Sequence, residues 1–322
     1  MSPWFGKNKS PSTIAVLDIE SGSVGSALVH LTPGKAPKLF AQERIPLTLR
    51  NKPVASVLLK EIEREVERSL VRLSGITSRV RTYGNGEGGV DRVAVFLHAP
   101  WTSVSFNETR AKPQTHDATL DALRQAAYGI AHDIPTTFHS FFTTTTPVIH
   151  GIFEQPNDAL VVSIGSELAE ISLLKDQVLV GYATVPAGVQ TLVRTIQTHA
   201  GISPAEAHSV LELSRHTQEH AWAEAVSASI AHLTRELRTT AEELLPEYKN
   251  ARHVFVVSPH GSSDLLARTL TNDAEIHKLF APGSTIRAVS SKHIAPHIAA
   301  HPQNPDVSMM LESLFVDTRF GV

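Results

Sequence analysis

The sequence predicts an α/β protein built from two halves of the same architecture. Three features carry this: a three-strand meander over residues 14–45, a second over 161–185, and a strand–turn–helix unit at 254–270. In the first meander Ile14 to Leu17 is an apolar strand ending in Asp18. Glu20-Ser21-Gly22-Ser23 turns the chain, Val24 to Leu31 returns, and Leu39 to Ile45 supplies a third strand. In the second, Val161 to Ile164 stops at Gly165-Ser166. Leu168 to Leu174 alternates loosely, Lys175-Asp176-Gln177 forms a polar tip, and Val178 to Val185 is a β-branched return. Pro186-Ala187-Gly188 breaks that strand, and Val189, Leu192, Val193 and Ile196 follow at helical spacing. No repeat of fixed period is visible, so the duplication is one of architecture.

The remaining elements follow in order. Val54 to Leu73 is an amphipathic helix with Leu58, Ile62, Val66, Leu70 and Leu73 as its apolar stripe. Arg79 to Gly89 is a Gly-rich connector: no Gly-Lys-Ser/Thr closes it, and a strand follows. Arg92 to Leu97 and Ser103 to Phe106 are strands, Asp117 to Ala131 a helix, and Phe138 to Ile152 a β-prone run with four successive threonines. Ser203-Pro204-Ala205-Glu206 is a capping box with proline at the first helical position. A longer helix then shows Trp222, Val226, Ile230, Leu233, Leu237, Ala241 and Leu244 on one face, and Pro246 ends it. Val254 to Val257 is a buried strand, and Ser263-Asp264 opens a helix through Leu270. Ile286 to Val289 is a last strand and Val307 to Phe315 a closing helix.

Composition narrows the function classes. The chain has 322 residues, 42% apolar and 19% charged, enough for two domains with a substantial core. Lys and Arg number 29 against 32 Asp and Glu, a net charge of −3, which argues against nucleic acid. The absence of cysteine removes disulfides, thiolate metal sites and a cysteine nucleophile, and fits a cytoplasmic chain. No apolar run reaches the roughly 18 residues of a membrane span, so direct membrane insertion is not expected. Residues 1–13 read as a flexible polar leader without a secretory core.

Two histidine patterns invite a metal reading. His216-Thr217-Gln218-Glu219-His220 matches an inverted zinc-protease motif, and a zinc hydrolase built on it is one alternative; as a lone match it reads better as a polar link between helices. His293, His297 and His301 have helical spacing, but Pro296 interrupts any such helix. Small-residue turns at strand ends, by contrast, can present backbone N–H groups to phosphate, and this chain has two of them.

With both turns in place, the chain resembles the actin-like ATPase superfamily, in the bacterial branch of the cell-division protein FtsA and the type IV pilus assembly protein PilM. FGKNKSPSTIAVLDIESGSVGSALV resembles that branch's opening, and VVSIGSELAEISLLKDQVLVGYATVPAG its second phosphate turn and hairpin. HAGISPAEAHSVL resembles the segment just after, and VFVVSPHG sits where the adenosine turn belongs. The resemblance implies two actin-like (ribonuclease H-like) α/β domains around a central cleft. It places a leader at 1–13, a first domain at 14–158, a second at 159–315 and a tail at 316–322. The first domain would carry a reduced inserted subdomain near 98–150. ATP with Mg²⁺ is the implied cofactor, and Asp18, Ser21, Gly22, Ser23, Gly165, Ser166, Gly188 and Gly261 are the implied nucleotide-binding positions.

The sequence departs from that pattern in all three turns. Glu20 replaces a glycine and brings a carboxylate to where a phosphate would approach; like charges at that range cost on the order of 1 kcal/mol or more. Gly25 replaces a lysine, Ser163 stands for the second aspartate, Glu167 for a threonine, and Pro259-His260 for paired glycines. The implied role is therefore a cytoplasmic adaptor or scaffold of an envelope-associated assembly, with weak or lost ATP binding and no efficient hydrolysis. Its implied partners are proteins, first a membrane protein with a short cytoplasmic segment that holds it peripherally at the inner membrane, and then copies of itself. The alternative is an active ATPase or phosphotransferase of the same superfamily.

Overall fold

A computed structural model describes residues 11–47, 55–83, 89–107, 110–115, 121, 123, 134–153, 158–175, 178–214, 221–244, 251–258, 262–278, 280 and 282–321. Two five-stranded mixed sheets form its frame. The strands are β1 (Ser12–Ile19), β2 (Ser23–Leu31), β3 (Lys38–Pro46), β4 (Arg92–Leu97), β5 (Thr102–Asn107), β6 (Arg110–Thr115), β7 (Thr136–Ser140), β8 (Ala159–Ile164), β9 (Ala169–Lys175), β10 (Val178–Val185), β11 (His253–Val257) and β12 (Thr285–Ala288). The first sheet has the order β3-β2-β1-β4-β7 and the second β10-β9-β8-β11-β12. Each is an antiparallel meander of three strands continued by two parallel ones. The duplication expected from the two meanders is thus a duplication of whole sheets. In register, Asp18 faces Gly25 in the first sheet as Ser163 faces Glu170 in the second.

The helices are α1 (Ala55–Tyr83), α2 (Phe141–Phe153), α3 (Val189–Ala200), α4 (Pro204–Leu213), α5 (Ala223–Leu244), α6 (Ser263–Asn272) and α7 (Val307–Phe320). The stripe Leu58, Ile62, Val66, Leu70 and Leu73 of α1 is buried against the first sheet with Leu17, Ile19 and Val95. The stripe Val226, Ile230, Leu233, Leu237 and Ala241 of α5 joins Leu192, Ile196 and Val256 in the second. A third core lies between the sheets, where α2 and α7 meet residues of both, including Val16, Phe96, Val161 and Phe255.

Several expectations need correction. Helix α1 runs on to Tyr83, so the first five residues assigned to the Gly-rich connector are helical; residues 84–88 lie outside the described ones. The β-prone run 138–152 is a strand only to Ser140 and then becomes α2, despite Pro147. The buried threonine hydroxyls are satisfied within the helix: Thr144 Oγ1 donates to the Ser140 carbonyl (2.9 Å) and Thr145 Oγ1 to that of Phe141 (2.7 Å). Phe141, Phe142 and Ile149 are buried at the same time. Trp222 precedes α5 and is exposed, so it is no part of that stripe. Helix α7 extends to Phe320 through residues assigned to a tail, and it packs between the sheets, against residues of the first as well as of the second. Strand β6, hairpin partner of β5, was not expected: its Arg-Ala-Lys-Pro-Gln-Thr sequence has no apolar alternation. Of the helix expected at 117–131, only Asp121 and Leu123 are described, both helical; Pro246, Gly261 and the His216–His220 motif lie outside the described residues.

Candidate functional site

The two small-residue turns face each other and touch. Glu167 N–H, in the second turn, donates to Ser21 Oγ in the first (3.1 Å). Ser166 N–H donates to the Glu20 carboxylate (3.3 Å), whose same oxygen also accepts from Ser23 Oγ (3.0 Å). Glu20 is fully buried, and its other oxygen lies 3.5 Å from the Arg44 guanidinium. The backbone is equally tight: a Cβ on Gly188 would lie 2.6 Å from the Ser166 carbonyl and 2.7 Å from that of Gly165. A Cβ on Gly165 would meet the Leu168 carbonyl at 3.0 Å. Gly188 caps α3 and hands the chain from the turn into that helix.

Below the turns lies a buried ionic network. Asp18, next to last in β1, pairs with Arg44 of β3 (2.5 Å) across the strand between them. Gly25 makes this reach possible, because it stands between the two in register: a Cβ there would sit 3.1 Å from Arg44 and 2.5 Å from Met309. Arg44 Nε donates to Asp306 (2.6 Å), and the other oxygen of Asp306 caps α7 through Ser308 N and Met309 N. On its other side Asp18 lies 2.7 Å from His98 Nε2, and His98 Nδ1 lies 3.3 Å from Glu170 of the second sheet. Glu170 in turn accepts from Tyr182 Oη (2.5 Å) and Ala99 N (3.0 Å).

Burial pushes the Asp18 carboxyl up, but the charges of His98 and Arg44 outweigh it and hold it below its ordinary value. Burial pulls His98 down, yet the carboxylates of Asp18 and Glu170 raise it well above the ordinary imidazole value. Glu312 on α7 shows the opposite balance: burial, then the Asp18 charge, drive its carboxyl well above the usual range.

A cleft of about 720 Å³ opens beside this network, lined among others by Ser23, Arg44, Ser166, Gln190, Asp264 and Asp306. Among the positions singled out from sequence, Ser23 and Ser166 line it. Ser21, Gly165 and Gly188 build the turns, while Asp18 is wholly buried among its ion pairs. Glu167, expected to oppose phosphate, instead grips Arg194 of α3 with both oxygens (2.9 and 2.8 Å). Sequence reasoning did not reach Arg44, His98, Glu170, Asp306 or Glu312. They lie on four separate segments with no shared motif, and only Gly25, a small residue opposite an acid, hinted that another side chain fills the space.

Solved structures of similar shape fix the fold. Over 97% of this chain and 98% of the other, the structure superposes on that of the PilM–PilN type IV pilus biogenesis complex, with 14% identity and a TM-score of 0.63. The chain has the actin-like ATPase fold. Ethanolamine utilization protein EutJ from Carboxydothermus hydrogenoformans shares it at 12% identity and TM-score 0.59, over 96% of this chain and 92% of that one. MreB5 of Spiroplasma citri, solved with ADP, shares it at 9% identity and TM-score 0.54, over 96% and 97%. No protein-family model matches the sequence, and no curated protein matches it.

The two turns are those expected from the sequence to hold a nucleotide's phosphates. As arranged, they fit a phosphate chain poorly. A phosphate needs free backbone N–H donors and a net positive surround. Here Ser166 N–H is already bonded to a carboxylate and Glu167 N–H to a serine hydroxyl, while Glu20 fills the space between them.

Proposed function

We propose that this chain is an adaptor that uses the actin-like body to bind partner proteins without a nucleotide cycle. The observation that carries this reading is the Glu20 carboxylate, which accepts from one turn's hydroxyl and the other turn's N–H. It supplies internally the negative charge that a phosphate brings in a nucleotide-dependent relative, so the two halves are joined with no ligand between them. Support also comes from the pilus biogenesis complex of PilM with PilN, in which a chain of similar shape forms part of a protein assembly. The partner proposed is a membrane protein with a short cytoplasmic segment, which would hold the chain at the inner membrane. Among the described residues no helix is long and apolar enough to cross a membrane, which fits attachment through a partner.

Thermal unfolding with and without millimolar Mg-ATP tests the first half of this reading, because a ligand that binds only the folded state must raise the melting temperature. The expected result is no rise and no phosphate release. A clear rise with release would make the chain an active ATPase. The second half is tested by immobilising the chain and passing over it a detergent extract of the native membrane. A single-span protein should be retained equally with and without ATP, and retention that requires nucleotide would overturn the reading.

A further inference from the structure

We propose that Asp18, His98 and Glu312 hold a divalent transition-metal ion that clamps the two sheets together. One ligand atom from each side chain lies within 4.8 Å of the other two, and all three residues are buried. They come from β1, from the residue after β4, and from α7, so the ion would sit in the core beneath the cleft.

Four observations point to a cation. First, both carboxylate oxygens of Glu312 are buried without any hydrogen-bond partner, although the side chain has no exposure at all. Protonated, as burial favours, Glu312 still leaves both oxygens without a partner, and ionised it needs a cation beside it. Second, Asp18 Oδ1 and His98 Nε2 are 2.7 Å apart, yet neither makes a hydrogen bond of proper alignment. Both residues instead bring a ligand atom within 4.8 Å of one from Glu312.

Third, the surrounding shell is the one a metal site requires. His98 turns its other nitrogen to Glu170, which is fixed by Tyr182 and Ala99, and Asp18 turns its other oxygen to Arg44. A carboxylate behind a ligating histidine fixes the ring and raises its basicity. Fourth, the charges do not balance. Asp18, Glu20, Glu170 and Asp306 face Arg44 and His98, four acids against at most two bases before Glu312 is counted.

The ligand set selects the ion. One imidazole nitrogen with two carboxylate oxygens suits Zn²⁺ or Mn²⁺, whereas Mg²⁺ and Ca²⁺ favour all-oxygen shells. Three protein ligands leave a fourth position for water. Glu170 belongs to the second sheet and Asp18 and His98 to the first, so the ion and its outer shell would span the halves at the point where Glu20 joins them above. This inference does not rest on the adaptor reading, since an ion at this site needs no nucleotide.

The test uses the full chain without a histidine tag. Elemental analysis of the purified protein should find about one equivalent of Zn or Mn. After EDTA dialysis the melting temperature should fall by several degrees, recover with micromolar Zn²⁺ or Mn²⁺, and ignore millimolar Mg²⁺. Glu312→Gln removes the buried acid without a cavity, so the stripped variant should melt no lower than the stripped native chain. It should also lose the metal-dependent rise. His293→Ala with His297→Ala, on the exposed C-terminal segment, should keep that rise in full. Absence of bound metal together with absence of any rise would overturn the proposal. So would a Glu312→Gln variant that responds to metal like the native chain.

Discussion

Replacing Glu20 by alanine probes the contact on which the closed turns depend. The carboxylate accepts from Ser23 Oγ (3.0 Å) and Ser166 N (3.3 Å) and lies 3.5 Å from Arg44. A buried hydrogen bond to a charged group contributes about 1.5–3 kcal/mol, and the longer one belongs at the lower end. Arg44 keeps Asp18 and Asp306 as partners, and Asp18 is freed from a like charge, so part of the loss is offset. A net destabilisation of about 2–3 kcal/mol follows, which at ~2–4 °C per kcal/mol lowers the melting temperature by about 4–12 °C. The variant also vacates an anion-sized space that keeps the Ser166 N–H, the Ser23 hydroxyl and Arg44. Inorganic phosphate or Mg-ATP at ten times its dissociation constant should therefore restore about 1.4 kcal/mol. Thermal and urea unfolding with and without each anion measure both effects. The reasoning is refuted if Glu20→Ala is neutral, or if the native chain gains as much from the anion as the variant does.

Asp306 both caps α7 and pairs with Arg44. Asp306→Asn keeps a good cap and loses only the charge pair, so by urea unfolding it should be milder than Asp306→Ala, with about 1 kcal/mol between them. Gly188→Ala drives a methyl into the Ser166 and Gly165 carbonyls and should cost about 1–3 kcal/mol. Gly75→Ala in α1, where nothing lies within 4 Å, should instead stabilise by about 0.5–1 kcal/mol. His139, packed between Phe96 and Phe315, is lowered to about 4 by burial and then by Arg319. The unfolded chain therefore takes up this proton first. Its contribution is intact above pH 6.5 and is lost as the pH falls towards 4. The drop in melting temperature between pH 7 and 5 should shrink in His139→Phe.

The meanders, the long amphipathic helices and the capping box at Ser203 were legible because each is a local pattern. Side-chain period, turn residues and caps act over a few positions, and the tertiary fold left them unchanged. The run 138–152 misled because threonine's β-preference is a weak term, which the burial of Phe141, Phe142 and Ile149 overrode. Glu20 was visible as an intruding charge, but not its partners: Ser166 lies 146 residues away.

By itself, then, the sequence determined the elements, their duplication and the presence of an acid in each turn region, since hydrophobic period and turn chemistry are short-range properties. Only the tertiary structure decided what those acids do. Arg44, His98, Glu170, Asp306 and Glu312 come from four segments, and α7 returns from the end of the chain to the first sheet. In a buried site, charge and hydrogen-bond satisfaction depend on which groups are brought within a few ångströms of one another, and that is a property of packing.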